Sequence, residues 1–315
     1  MKPSLRTALR LGALVSILGF LASAGGGTYL FYFALARKGP AHEERAAATD
    51  EIAAQSRLQG RAWMRASPFE TLSASAKDGV SLRGYYRGGP SRRTAVLVHG
   101  YGTNASLMAD YARFYLEDGI NVFLPDNRAH GASGGQWVGM GWLDRDDLLV
   151  WIQALIEKAN GGCEILLHGI SMGAAAVMMA GGAEIPSQVK CLIADCGYTS
   201  VEAQFKYQLE HMFGLPPFPL FHIASLESKI IAGYGFAEAS ALEAVKKSRI
   251  PIFFIHGDAD DFVPARMARE LYESAPGEKR LWLVPGAQHA MAYYANPQEY
   301  VRQVRDFYRE FLSDP

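Results

Sequence analysis

Hydrophobic positions along this chain fall into three patterns. The first is an uninterrupted run: residues 11–36 contain no charged side chain. As a helix this run would extend roughly 39 Å at 1.5 Å per residue, which exceeds the roughly 30 Å hydrocarbon core of a bilayer. The second pattern is alternation. Residues 69–74 and 80–86 alternate around Lys77-Asp78-Gly79, which is a hairpin signal. The third is a series of short apolar runs, as strands covered on both faces require. They lie at residues 94–98, 120–124, 165–167, 189–194, 251–255 and 280–284. Helical periods separate them. Leu107, Tyr111, Phe114 and Tyr115 share a side. Residues 142–158 carry Leu148, Leu149, Ile152, Leu155 and Ile156 on one face. A closing helix over 299–311 turns Val301, Val304, Phe307, Tyr308 and Phe311 inward. Residues 199–247 break the rhythm. They hold no strand pattern, only short helical pieces around Pro216-Pro217-Phe218-Pro219. This stretch reads as an inserted helical cap, with Phe213, Phe218 and Phe221 as cap core. Strands alternating with helices predict an α/β domain over residues 67–315, with a mostly parallel central sheet and helices on both faces.

The 315 residues leave room for one large domain or two small ones. A net charge of −1 and the lack of a long basic block give nucleic-acid binding no electrostatic support. Cys163, Cys191 and Cys196 form no disulfide framework and show no zinc spacing. All three lie in or beside expected strands and read as buried free thiols. At the N-terminus Lys2, Arg6 and Arg10 precede the uncharged run. Tyr29, Phe31, Tyr32 and Phe33 cluster near its far end, as an interfacial aromatic belt would. Residues 1–37 therefore read as a single-pass membrane anchor, with the rest of the chain outside the cytoplasm. A competing reading ends a signal peptide at Ala22-Ser23-Ala24 and starts a soluble, secreted chain near Gly25. The continued apolar stretch over 29–36 favours the anchor. Residues 38–66 are rich in Ala, Glu and Arg without a strong apolar period, and read as a partly helical linker leading into the domain. Deleting residues 1–37 is then expected to leave an active soluble domain.

Chemistry concentrates around Gly169-Ile170-Ser171-Met172-Gly173. An apolar run precedes this G-x-S-x-G and small residues follow it, the strand–turn–helix context in which the motif carries meaning. The helix after Ser171 would aim free N–H groups at the turn, where a developing anion could sit. Alone the motif is weak, and a turn serine is its bland reading. In a parallel sheet, however, reactive groups collect at the carboxyl ends of strands. Those ends supply His99, Asp126, Ser171, Asp195, three acids after His256, and His289. A serine nucleophile needs a base, and the base needs a carboxylate to orient it. Asp258, Asp260 and Asp261 offer the carboxylate, and His289 the base. His130 is a rival base placed before the serine. His99 and His256, each preceding a glycine, read as loop-holding histidines, and Asp126 and Arg128 as loop braces.

The order Ser, Asp, His is that of the α/β-hydrolase fold. The segments His99-Gly100-Tyr101-Gly102, Asp126-Asn127-Arg128-Ala129-His130-Gly131, Gly169 to Gly173, His256 to Pro264 and Gly286-Ala287-Gln288-His289 resemble that superfamily in order and spacing. The likeness runs from about residue 69 to the C-terminus. It lies nearest the bacterial membrane-anchored esterase and prolyl-oligopeptidase-like branches. The resemblance implies Ser171 as nucleophile and His289 as base and then acid. It implies Asp260 as the acid opening the D-x-x-V-P pattern Asp260-Asp261-Phe262-Val263-Pro264, with Asp258 and Asp261 as rivals. It also implies an oxyanion hole from the backbone N–H groups of Tyr101 and Met172. The expected activity is hydrolysis of carboxylic esters or thioesters of a small-molecule acyl substrate, without metal or organic cofactor. Peptide or amide hydrolysis and acyl transfer would use the same residues. A silent surface-binding module is the reading from a different class.

Overall fold

A computed structural model describes residues 5–39 and 51–313. Helices α1 (Leu5–Leu35) and α2 (Glu51–Ala66) precede the sheet. The hairpin β1 (Glu70–Ser75) and β2 (Ser81–Arg87) leads to β3 (Arg93–Val98), α3 (Ala109–Glu117), β4 (Asn121–Asp126) and α4 (Trp142–Lys158). The central unit is β5 (Glu164–Ile170), α5 (Met172–Gly181) and β6 (Val189–Asp195). Three helices then form the cap: α6 (Val201–Phe213), α7 (Leu220–Glu227) and α8 (Ala241–Val245). The chain ends through β7 (Ile252–Gly257), α9 (Arg266–Ser274), β8 (Lys279–Val284), α10 (Ala292–Ala295) and α11 (Pro297–Tyr308).

The eight strands form one sheet in the order β1-β2-β4-β3-β5-β6-β7-β8. From β4 to β8 every pairing is parallel, while β1 and β2 join antiparallel. The apolar runs are central strands because both faces are covered. Along β3, Ala95 and Leu97 enter one core, with Tyr111, Tyr115, Tyr300 and Phe307. Val96 and Val98 enter the other, with Trp151, Ile152 and the small residues of α5. All of α5 is buried. Its Gly-Ala-Ala-Ala sequence lets the helix axis come close to the sheet. A Cβ on Gly173 would collide with the carbonyl oxygen of Val98. Gly173→Ala must therefore push the helix off the sheet, at a cost of about 1–3 kcal/mol or more. Thermal unfolding of that variant should show a clear fall in melting temperature.

The structure adds to two expectations about the N-terminal region. Among the described residues, no helix is long and apolar enough to cross a membrane. The C-terminal part of α1 and the chain just after it, residues 26–37, are built into the domain. Gly26 and Gly27 face Leu220 and Ile223 of α7 with no room for a side chain. Phe31 and Leu35 are fully buried. Thr28 Oγ1 donates to Glu227 Oε1 at 2.5 Å, and Arg37 donates to the carbonyl oxygens of Ser133 and Gly131 at 2.7 and 2.9 Å. Phe31 and Leu35 find their burial against the domain, and Gly27 lets helix α1 touch α7. The linker region carries helix α2. Residues 40–50 lie outside the described residues, but α2 is docked. Its Ser56 donates to Asp110 at 2.5 Å, and Trp63 packs edge-on against Phe69 at 5.6 Å and beneath Arg113.

These contacts change the expected effect of truncation. A chain starting at Lys38 loses the burial of Phe31 and Leu35, worth about 1.5–3 kcal/mol each. A chain starting at Gly25 keeps it. Thermal melts of both should show a marked loss for the first and little for the second. Equal melting temperatures would contradict the packing of α1.

Candidate active site

Strand β5 ends in a sharp turn that places Ser171 at φ 55° and ψ −116°. A non-glycine residue holds such a conformation only where its surroundings enforce it. Here Gly169 and Gly173 pack backbone against backbone, with no space for a Cβ on either. Ser171 N–H donates to the carbonyl of Asp195 at 2.8 Å. The serine is 9 % exposed and faces a cavity of about 250 Å³.

The loops after β7 and β8 complete the arrangement. His289 Nε2 lies 2.9 Å from Ser171 Oγ, and its Nδ1 lies 2.7 Å from Asp260 Oδ2. Asp260 is buried, and its other oxygen accepts the N–H groups of Phe262 and Val263 at 3.0 and 2.8 Å. His256 sits behind it. Its Nε2 lies 2.8 Å from the Val263 carbonyl and 3.2 Å from Asp260 Oδ2. A carbonyl only accepts, so Nε2 carries the proton. Burial opposes ionisation of Asp260, but hydrogen bonds from His256 and His289 outweigh it and hold the carboxyl well below the usual carboxylate range.

The rival groups have other partners. Asp258 accepts Gly286 N–H at 2.6 Å and ties the β7 loop to the β8 loop. Asp261 contributes its carbonyl, which accepts from Tyr207 at 2.9 Å. His130 Nε2 accepts Gly102 N–H at 3.0 Å, and its Nδ1 lies 2.9 Å from Arg128 O. His99 Nε2 accepts Asn127 N–H at 3.0 Å. Asp126 accepts the N–H groups of Ala105 and Ala132, both at 2.8 Å. Arg128 pairs with Asp78 and Asp147 at 2.7 and 2.6 Å. Each of these braces a loop. All three cysteines are buried free thiols. Ligand atoms of Cys196, Asp260 and His289 lie within 4.8 Å of one another, but the latter two are already bound to each other.

The expected oxyanion donors flank the serine. Met172 opens α5, so its N–H lacks an intrahelical partner. Gly100 approaches Ser171 closely enough that a Cβ there would lie 3.3 Å from the serine Cβ. Tyr101 follows and lines the cavity with Ser171 and Met172. The Tyr101 hydroxyl donates to Ala34 O at 2.9 Å, tying this loop to α1.

Cap and N-terminal helix enclose the rest of the cavity. Leu209, Phe213 and Phe221 come from the cap, and Leu30 and Phe33 from α1. The reading of the three cap phenylalanines as core therefore holds only in part. Phe221 is buried yet lines the cavity, Phe213 lines it half-exposed, and Phe218 is 73 % exposed. Periodicity could not separate these roles, because cap packing and cavity lining ask for the same side chains. The contribution of α1 was missed for a related reason: an aromatic cluster after an apolar run reads alike for lipid and for protein.

The sheet, the strained serine turn and the two loops facing it define an α/β hydrolase. Residues 95–303 match the model of the alpha/beta hydrolase family, and the chain belongs to that family. It is 33 % identical over 230 residues to the uncharacterized protein YqkD of Bacillus subtilis, covering 73 % of this chain and 75 % of that one. Against the uncharacterized protein YfhR of Escherichia coli K12 the identity is 24 % over 255 residues, covering 78 % and 82 %. Among solved structures, the esterase Pf2001 of Pyrococcus furiosus superposes with a TM-score of 0.65 at 23 % identity, covering 79 % of this chain and 94 % of that one. The acylaminoacyl peptidase of Pyrococcus horikoshii superposes with a TM-score of 0.55 at 18 % identity, covering 79 % and 42 %. Likeness at these identities speaks to the fold.

Proposed function

We propose that this hydrolase cleaves carboxylic esters or thioesters through an acyl-enzyme, with Ser171, His289 and Asp260 as its triad. The observation that carries the reading is the unbroken chain of 2.9 and 2.7 Å contacts from Ser171 through His289 to Asp260. In this mechanism Ser171 Oγ attacks the acyl carbon while His289 Nε2 takes its proton. Asp260 holds the Nδ1–H, which fixes the tautomer and stabilises the imidazolium. The N–H groups of Met172 and Tyr101 receive the negative oxygen. Collapse expels the alcohol or thiol, which takes the proton from His289. Water then attacks the acyl-enzyme by the same path.

The cavity supports an apolar acyl group, since Leu, Phe and Met side chains supply most of its wall. Among the described residues, no carboxylate lines it that could pair with a peptide ammonium. That favours acyl esters over free peptides, although the same residues could serve amide cleavage or acyl transfer. A fluorophosphonate probe should label Ser171, and a panel of p-nitrophenyl esters should be turned over faster than peptide amides. Failure of labelling on folded protein would leave a silent binding module. Labelling with turnover of amides alone would reassign the substrate.

A further inference from the structure

The N-terminal helix and the cap, which both line the cavity, also carry large apolar side chains that the fold leaves in solvent. Two stretches present them. On α1 these are Leu21, Tyr29, Tyr32 and Phe33; at the tip of the cap they are Met212, Phe213, Leu215 and Phe218. Exposure reaches 63 % at Tyr29, 60 % at Met212 and 73 % at Phe218. The stretches are neighbours. Tyr29 stacks on Phe33 at 5.9 Å, and Phe33 meets Phe213 edge-on at 6.1 Å. Phe33, Met212 and Phe213 also line the cavity, so the exposed surface reaches the site.

Composition makes the patch unusual. Residues 211–226 carry no Asp, Glu, Lys or Arg, and neither do residues 11–36. Contiguous exposed apolar surface of this kind marks an interaction site. We propose that this surface seats the cavity mouth on a lipid bilayer, and that the substrate is an acyl ester or thioester whose chain is drawn from that bilayer. The proposal rests on the ester-hydrolase reading and names its substrate class.

A bilayer suits the surface better than a second copy of the chain. A protein covering this patch would also cover the cavity mouth and shut Ser171 off from substrate. A bilayer covers the same residues and supplies the acyl chain. The sequence extends the argument beyond the patch. The uncharged run of α1 continues toward the N-terminus from Tyr29, and Lys2, Arg6 and Arg10 precede it, as anionic headgroups would favour. Aromatic side chains at the rim suit the interfacial depth.

The test compares two esters of one fluorophore, using the full chain. One is a soluble butyrate; the other is an oleate carried in vesicles of phosphatidylcholine and phosphatidylglycerol. The double variant Tyr29→Asp/Phe218→Asp changes two exposed side chains that do not line the cavity. It should hydrolyse the butyrate within about twofold of the parent, while turnover of the vesicle-borne oleate falls about tenfold or more. Should the double variant melt lower than the parent, Phe218→Ser alone reads the same ratio in the same direction. An unchanged oleate-to-butyrate ratio overturns lipid docking and leaves the ester reading intact. A parent that hydrolyses neither ester overturns both. A dimer that the double variant disperses, with the ratio unmoved, assigns the patch to a second copy and also overturns the proposal.

Discussion

Ser171→Ala is expected to lower ester turnover about 10⁵- to 10⁶-fold, with the fold retained. The size follows from the way such groups act together: without the nucleophile, base and acid have nothing to serve. What remains is the background from the oxyanion donors and binding, about 10³- to 10⁴-fold over water. The substitution removes a single oxygen whose hydrogen-bond partner among the described residues is His289. Circular dichroism and thermal melting should therefore match the parent while hydrolysis is lost. Turnover near the parent rate would remove Ser171 from the mechanism.

Asp260→Asn should cost about 10⁴-fold in kcat, far more than Asp258→Asn or Asp261→Asn. An amide at 260 can present its NH₂ to His289 and favour the wrong tautomer. The Asp258 carboxylate holds Gly286, and Asp261 meets Tyr207 through its main-chain carbonyl, which the amide substitution keeps. The ranking is measured by single-turnover hydrolysis on all three variants. If Asp258→Asn proves most damaging, the triad is misassigned. The same variant has a signature in stability. The carboxyl of Asp260 is held below its ordinary range, so its contribution is fully present above the unfolded value of about 3.9. That contribution is lost as pH falls through the folded value. Asp260→Asn should therefore flatten the acid limb of a plot of melting temperature against pH.

Much of the site was legible because it is written in short segments. A G-x-S-x-G between an apolar run and a small-residue run forces one backbone solution, a strand, a strained turn and a close helix. The segments Asp258-Ala259-Asp260-Asp261 and Gly286-Ala287-Gln288-His289 each sit one loop beyond a strand, so the parallel order brings them to the same edge. Choosing among three acids from spacing relied on family likeness. In the tertiary structure the Asp258 carboxylate holds Gly286, while Asp260 faces both His256 and His289.

What the sequence determined by itself was therefore the sheet, the order of its strands along the chain and the groups at their carboxyl ends. Each is set by local period and by glycines at positions with no room for a side chain. Only the tertiary structure shows that the far end of the N-terminal apolar run, from Gly26 to Arg37, docks on the domain. Phe31 and Leu35 satisfy equally a bilayer or a protein groove, because burial of apolar surface has no direction. The choice came from Gly26 and Gly27, which let α1 lie against α7, and from Arg37, which ties its end to the loops after β4. The wall of the cavity and the apolar rim around its mouth are consequences of that docking, and no stretch of sequence read alone contains them.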